Sequence, residues 1–116
     1  FSTILTLIAS AALFTTSTAA PLKTRSSGQA TYYEVGLGSC GTTNSNSEMV
    51  AALSSSIMKK SYCGKHITLK GGKGSVTVKV VDTCPGCSSG DVDLSPTAFQ
   101  KLASLSDGVV DISWSI

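Results

Sequence analysis

The chain has 116 residues, of which 14% are charged and 6% aromatic, and its formal net charge at pH 7 is +2. This mild charge, without basic residues interleaved with aromatic ones, excludes a typical nucleic-acid-binding surface. The length allows one small domain, whose limited core benefits from cross-links.

The first twenty residues contain no charged side chain. Their apolar run over 4–14 and the small residues at 17–20 are typical of a secretory signal peptide and its cleavage site. The run is too short and too rich in Ser and Thr for a membrane-spanning helix, which needs about 20 apolar residues. We expect a signal peptide over 1–20, a flexible arm or short pro-segment over 21–28, and a secreted, extracellular domain over 29–116 without membrane contact after cleavage.

The remaining chain predicts a series of short strands. Residues 29–33 are β-prone and end at a glycine-rich loop. Residues 49–58 are too short an apolar run to distinguish a strand from a helical turn. Alternating apolar and polar residues predict strands over 66–70 and 75–82, joined by a glycine-containing turn. A final alternating strand is predicted over 109–116.

One segment, residues 94–105, has the pattern of a helix. Ser95 is a candidate N-cap, and Pro96 occupies the first helical position, where its missing N–H costs nothing. The apolar stripe of this helix consists of Ala98, Phe99, Leu102 and Leu105. Five or six short strands and one helix predict a mainly β fold, a small β-barrel, without a second domain or internal repeat.

Four cysteines in a secreted chain of this size predict structural disulfides. The C-x2-H and C-x2-C pattern between Cys63 and Cys87 suggests zinc, but it leaves Cys40 unpaired in an oxidising compartment. A redox pair at Cys84 and Cys87 would need a helix start to lower a thiol pKa, whereas this motif leaves a strand. We therefore expect no metal and no cofactor. Of three possible pairings, Cys40–Cys63 with Cys84–Cys87 is favoured, and the crossed pairings stay open.

Two aspartates flank the second cysteine pair. Asp82 ends the predicted strand 75–82. Asp93 precedes the predicted helix, whose N–H groups favour an anion. A simpler interpretation of Asp93 is a local cap or turn residue.

Several motifs give the chain a family resemblance. In order they are GQATYY, GSCG, YCGKHI, VVDTCPGC and DVDLSPTAF. They resemble the double-psi β-barrel domain of rare-lipoprotein-A-like and expansin-like proteins, especially the small single-domain fungal loosenins. The resemblance covers 29–116 and implies a six-stranded double-psi β-barrel with an open groove.

The resemblance also implies site residues. Asp93 matches the aspartate of the expansin D-L-S motif, which corresponds to the general acid of the related family-45 glycoside hydrolases. Asp82 matches a second groove aspartate, and Thr31 and Tyr33 match polar and aromatic groove residues. Expansins loosen cell-wall polysaccharide without detectable net hydrolysis and lack the second catalytic carboxylate.

Hydrolysis would need a base as well as an acid, with about 6.5–9.5 Å between them in inverting enzymes. Glu34 is the candidate base, because the related hydrolases carry theirs near this position. A surface glutamate at the start of a loop is the simpler interpretation of Glu34. An endoglucanase that uses Asp93 and Glu34 is therefore an alternative hypothesis.

The sequence thus predicts a monomeric expansin- or loosenin-like module that binds cellulose, chitin or a related cell-wall polysaccharide. Four residues would make the polar contacts: Thr31, Tyr33, Asp82 and Asp93. We expect loosening without net hydrolysis, and no nucleic-acid partner. A further alternative is a protein-binding barrel, such as a cysteine-protease inhibitor or an effector-like protein, with a secreted protease as its partner.

Overall fold

The computed structural model describes residues 25–116. The predicted signal peptide and the first part of the predicted arm, 21–24, lie outside the described residues. The strands are β1 (Arg25–Tyr32), β2 (Val50–Ser54), β3 (His66–Gly71), β4 (Gly74–Cys84), β5 (Val92–Leu94) and β6 (Val110–Ser115). Within residues 25–116 there are also one α-helix, α1 (Pro96–Phe99), and two 3-10 turns (Lys60–Tyr62 and Leu105–Asp107).

The six strands close into one barrel in the order β1, β5, β2, β4, β3, β6. The pairs β1–β5 and β2–β4 are parallel, and the other four pairs are antiparallel. Parallel partners cannot be joined by a tight hairpin, so the chain crosses between distant parts of the barrel before it returns. The predicted mainly β fold with a six-stranded barrel is confirmed.

The core fills the interior of the barrel because buried and exposed side chains alternate along the longer strands. Val76, Val78 and Val80 of β4 are buried while Thr77 and Lys79 between them are exposed. In contrast, all five residues of β2 are buried. Both faces of β2 are therefore covered, and in the barrel this strand lies between β5 and β4.

Two strands differ from the sequence prediction. β1 begins at Arg25 rather than at Gln29, and from Arg25 to Ala30 it pairs with β6. β5 has only three residues, which is too short for an alternating pattern to reveal. Its pairing with β1 on one side and β2 on the other defines it as a strand. The ambiguous segment 49–58 contains β2, followed by a turn.

The predicted helix over 94–105 is wrong in its extent, because only Pro96–Phe99 is α-helical. Ser95 is the N-cap, as predicted, and its Oγ accepts from the Ala98 N–H at 3.3 Å. Beyond the helix the chain turns, and the Leu102 carbonyl accepts from the Lys73 N–H at 2.9 Å. The Leu102 side chain is fully buried. Packing against the β3–β4 turn thus replaces further helical turns.

Two disulfides cross-link the structure, Cys40–Cys63 and Cys84–Cys87, with Cα–Cα distances of 5.7 and 5.5 Å. This is the pairing that the sequence favours. All four cysteines are bonded, so no thiolate remains for a metal. Within residues 25–116, no helix is long and apolar enough to cross a membrane.

Candidate functional site

The barrel aligns four residues from four neighbouring strands. Thr31 of β1 is the register partner of Asp93 of β5, and Ala52 of β2 is the register partner of both Asp93 and Asp82. We call Thr31, Asp93, Ala52 and Asp82 the aspartate row. Because neighbouring strands lie about 4.8 Å apart, the backbones of the two aspartates are separated by about 10 Å. The buried Ala52 between them leaves only a methyl group at the middle of the row.

Asp93 faces outward because Val92 and Leu94, on either side of it, point into the core. Its carboxylate accepts a hydrogen bond from the Thr31 hydroxyl at 2.9 Å. Partial burial raises the pKa of Asp93, the Thr31 hydrogen bond acts in the opposite direction, and the charge of Asp82 raises the pKa further. Asp93 therefore holds a proton to a higher pH than an ordinary aspartate.

Tyr33 follows β1 and is anchored by its backbone N–H, which donates to the Leu94 carbonyl at 3.0 Å. Its hydroxyl is buried and has no hydrogen-bond partner within the described residues. Burial, with the charges of Asp82 and Asp93, raises the pKa of Tyr33 to about 12. The phenol stays protonated and offers a donor beside the two carboxyl groups.

The side chains of Tyr32 and Tyr33 lie in different surroundings, as strand alternation predicts. The Tyr32 ring packs against Phe99, with 4.9 Å between ring centroids, and its hydroxyl donates to the Leu105 carbonyl at 2.9 Å. Tyr32 therefore fastens the segment after α1 to the barrel, and Tyr33 belongs to the site.

Asp82 is fixed by backbone donors. Its Oδ1 accepts from the Ser39 N–H at 2.8 Å and from the Thr83 N–H at 2.7 Å. Ser39 lies in the loop 36–43, which the Cys40–Cys63 disulfide ties down. Gly38 is required there, because a Cβ at this position would lie 2.4 Å from the Val81 carbonyl oxygen. The loop thus packs closely against the end of β4 and holds Asp82.

Glu34 is exposed at the start of this loop region, and its carboxylate accepts from the Asn46 side chain at 3.1 Å. Asn46 also accepts from the Val35 N–H at 2.8 Å. The structure brings together Thr31, Tyr33, Asp82 and Asp93. The carboxylate of Glu34 is hydrogen-bonded to Asn46 instead.

The second disulfide forms a wall beside Asp93. The sulfurs of Cys84 and Cys87 and a carboxylate oxygen of Asp93 all lie within 4.8 Å of one another. This geometry would suit a metal ion if the sulfurs were thiolates, but they are bonded to each other. The turn is held by the buried Ser54, whose hydroxyl donates to the Cys87 carbonyl at 2.8 Å.

Three site residues have no clear signal in the sequence. Ala52 lies in an apolar run whose register a single sequence does not reveal. Ser39 and Ser54 are two among many serines, and their roles depend on contacts with residues more than thirty positions away. Ser39, in the GSCG motif, could have been suggested only by its position next to a cysteine.

A family model described as lytic transglycolase, a double-psi β-barrel, matches residues 25–114. The chain belongs to this family, which includes the rare-lipoprotein-A-like and expansin barrels. The fold that the sequence resemblance implies is thereby confirmed.

Three curated relatives are similar in sequence. Allergen Asp f 7 of Aspergillus fumigatus is 42% identical over 94 residues, which are 75% of this chain and 35% of the allergen. Expansin-YoaJ of Bacillus subtilis is 37% identical over 59 residues, 51% of this chain and 25% of the relative. The papain inhibitor of Streptomyces mobaraensis is 33% identical over 104 residues, 81% of this chain and 73% of the inhibitor. The chain thus spans about a third or less of the first two relatives.

Two solved structures share the fold. A mutant expansin of Clavibacter michiganensis in complex with cellohexaose has a TM-score of 0.72 and 31% identity, covering 80% of this chain and 50% of the expansin. The Streptomyces papain inhibitor has a TM-score of 0.74 and 31% identity, covering 82% of this chain and 96% of the inhibitor.

Proposed function

We propose that this chain is a secreted expansin-like module that binds a cell-wall polysaccharide along the aspartate row and loosens its contacts with other chains. The observation that carries the proposal is the alignment of Asp93 and Asp82 on either side of Ala52, with Tyr33 beside them. The cellohexaose complex of the similar Clavibacter expansin supports a β-linked glycan as ligand. Two disulfides suit an oxidising, extracellular setting.

The mechanism uses hydrogen-bond donors and acceptors of the aspartate row. Asp82 and Asp93 accept hydrogen bonds from glycan hydroxyls, and Asp93 also donates one when it is protonated, which its raised pKa allows at a higher pH than in an ordinary aspartate. Glycan hydroxyls that bond to these groups give up hydrogen bonds to a neighbouring glycan chain. Each such exchange is worth only about 0.5–1.5 kcal/mol, which favours reversible loosening over tight binding.

The arrangement disfavours hydrolysis. An inverting base must activate water on the side of the sugar opposite to the acid. Asp82 lies in the same row as Asp93, so it faces the same side of a bound glycan. Glu34 is exposed and bonded to Asn46. We therefore propose that Asp93 holds and displaces the glycan rather than cleaving it.

The test replaces Asp93 with asparagine and uses the exposed Asp107→Asn as a control with the same loss of charge. We expect Asp93→Asn to weaken cellulose or chitin binding and loosening by about tenfold, which corresponds to roughly 1.4 kcal/mol. Asp107→Asn should behave like the unaltered protein. Reducing-end release from a soluble β-glucan should stay at background for all three.

Two results would contradict this proposal. Unchanged binding and loosening in Asp93→Asn would remove the aspartate row from the function. Reducing-end release that disappears in Asp93→Asn would establish an endoglucanase instead.

The second candidate function is inhibition of a cysteine protease. The papain inhibitor has a similar structure over 96% of its chain and 82% of this chain. In the loop 36–43, Leu37 is 75% exposed and forms an isolated β-bridge with Thr43, and Cys40 is tied to Cys63. A rigid loop that presents an apolar side chain loses little entropy when it enters a protein cleft.

An assay of papain activity distinguishes protease inhibition from glycan binding. If the chain is an inhibitor, Leu37→Asp should raise the inhibition constant by about tenfold or more, while Asp93→Asn leaves it unchanged. Absence of papain inhibition by the unaltered chain would exclude this candidate for papain.

A further inference from the structure

We propose that a cavity beside the aspartate row binds a sugar carrying an anionic group, so that the preferred glycan is partly acidic rather than neutral. This inference rests on the proposed glycan-binding function. The cavity has a volume of about 250 Å³. Its lining consists of Ser39, Ser55, Met58, Lys59, Lys60, Cys63 and Thr83. We call it the lysine cavity. Pockets for drug-sized ligands have roughly 300–1,000 Å³, so this one suits a single sugar residue.

The lysine cavity adjoins Asp82. The Ser39 and Thr83 hydroxyls in its wall are hydrogen-bonded to each other at 2.7 Å. The backbone N–H groups of the same two residues donate to the Asp82 carboxylate. One pair of residues therefore separates the cavity from the aspartate row. A glycan that lies along the row reaches the cavity with an adjoining sugar.

The charged residues that line the lysine cavity are all positive. It contains Lys59 and Lys60, and no aspartate or glutamate lines it. The Lys59 ammonium lies 5.2 Å from the centroid of the Tyr62 ring, a distance at which a cation is attracted to an aromatic face. Two neighbouring lysines in the wall of a concave site favour an anion over a neutral ligand.

The backbone that carries these lysines is held in place. The Tyr62 and Cys63 N–H groups donate to the Lys59 and Lys60 carbonyls at 3.0 and 3.1 Å. Cys63 is joined to Cys40, and the Gly64 N–H donates to the Val80 carbonyl at 2.8 Å. The cavity is thus built on the barrel rather than on a free loop.

Together, the aspartate row and the lysine cavity also define which sugar of the glycan is neutral and which is anionic. An anionic sugar over Asp82 and Asp93 would be repelled by those carboxyl groups, whereas the lysine cavity attracts it. The favoured ligand therefore has a neutral sugar at the row and an anionic sugar next to it. Serine and threonine hydroxyls can bond its hydroxyl groups, and Met58 supplies an apolar contact for the ring.

Cellulose fibrils provide matched probes. Untreated fibrils are neutral, and fibrils oxidised at C6 carry carboxylates on part of their surface glucose residues. Sulfated cellulose carries sulfate esters instead. We expect the protein to bind one or both charged materials about tenfold more tightly than untreated fibrils at low salt. This preference should shrink as the ionic strength rises, because the lysines are exposed.

The variant Lys59→Gln/Lys60→Gln tests the cavity, and Lys70→Gln/Lys73→Gln is the control with the same loss of charge. Lys70 and Lys73 belong to β3 and the β3–β4 turn. The first variant should bind charged fibrils no better than untreated ones and keep its affinity for untreated fibrils. The control should retain the preference. The relative affinities for carboxylated and sulfated material identify which anion the cavity takes.

Three outcomes decide between the hypotheses. Equal affinity of the unaltered protein for charged and untreated fibrils overturns the anionic subsite and leaves the proposed function intact. Equal loss of preference in both double variants also overturns it, since general charge would then explain the binding. Failure to bind any of the fibrils counts instead against the proposed function.

Discussion

Opposing effects act on the pKa of the Asp93 carboxyl group. The Thr31 hydroxyl donates a hydrogen bond that favours the charged form, while burial and the charge of Asp82 favour the neutral form. Burial is the largest of these effects, and it raises the pKa. The folded protein consequently binds a proton at Asp93 more readily than the unfolded chain does. At a pH above the folded-state pKa of Asp93, this residue therefore lowers the stability of the folded protein.

The first prediction concerns stability as a function of pH. Because the pKa of Asp93 is higher in the folded state, stability falls as pH rises through the interval from the unfolded to the folded value. Asparagine keeps an acceptor oxygen for Thr31 and carries no charge. Asp93→Asn should therefore be more stable than the unaltered protein at pH 7, by less than about 1 kcal/mol because the site is partly solvated. The gain should vanish near pH 3.

Urea unfolding at pH 7 and pH 3 measures this difference. The exposed Asp107→Asn serves as the control and should show no comparable gain at pH 7. A loss of stability at pH 7 in Asp93→Asn would mean that its charged form makes a favourable contact that outweighs burial.

At the scale of the elements, the segment between β4 and β5 determines where Asp93 lies. Gly90 touches β1 so closely that a Cβ on it would lie 2.1 Å from the Ser27 carbonyl oxygen. The Gly90 carbonyl accepts from the Trp114 indole N–H at 2.9 Å, and the Asp91 side chain accepts from the Gln29 N–H at 2.9 Å. These contacts fasten the start of β5 to β1 and β6.

The second prediction tests this close contact. Gly90→Ala places a methyl group against backbone atoms, which cannot move aside as a side-chain tip can. We expect a loss of about 1–3 kcal/mol in the free energy of unfolding. Gly86→Ala, in the same segment, is the control, since a Cβ there has no neighbouring atom within 4 Å. Its effect should stay within about 0.5 kcal/mol. Equal denaturation midpoints for the two variants would contradict the prediction.

At the scale of the whole molecule, the two disulfides have different consequences. Cys40–Cys63 spans 23 positions and anchors both the loop beside Asp82 and the segment with the cavity lysines. Cys84–Cys87 spans three positions and lies next to Asp93. The first constrains more of the unfolded chain, while the second mainly fixes the shape of a turn at the site.

The third prediction follows from these loop lengths. Cys40→Ser/Cys63→Ser should lower the free energy of unfolding by about 3 kcal/mol, and Cys84→Ser/Cys87→Ser by about 2 kcal/mol or less. Glycan binding by the second variant should nevertheless fall, because the wall beside Asp93 loses its shape. Denaturation curves and binding isotherms for both variants provide the measurement. Full binding after removal of Cys84–Cys87 would show that this wall does not form part of the site.

The sequence predicts the barrel best where one face of a strand is buried. Val76, Val78 and Val80 alternate with polar residues, so β4 is recognisable without a structure. β5 is too short for such a pattern, and only its pairing with β1 and β2 identifies it as a strand. The helix is predicted too long because the Leu102 carbonyl bonds to Lys73, a contact that no local pattern reveals.

The aspartate row illustrates the same limit at the site. Family resemblance indicates that Asp82 and Asp93 belong to one site. Their spacing along the chain does not show how the two residues are arranged in space. Their alignment depends on Ala52, which pairs with both of them from a strand thirty or more positions earlier. Strand register is a property of the closed barrel and is absent from any single segment.

The pairing of β1 has a consequence for how the protein is made. Both neighbours of β1, the strands β5 and β6, come from the C-terminal part of the chain. Residues 25–32 therefore have no partner strand until β5 and β6 have been synthesised. Contacts between such distant segments form slowly, and β1 stays exposed to misfolding and aggregation in the meantime. Closure of the barrel thus has to wait for β6, its last strand in chain order.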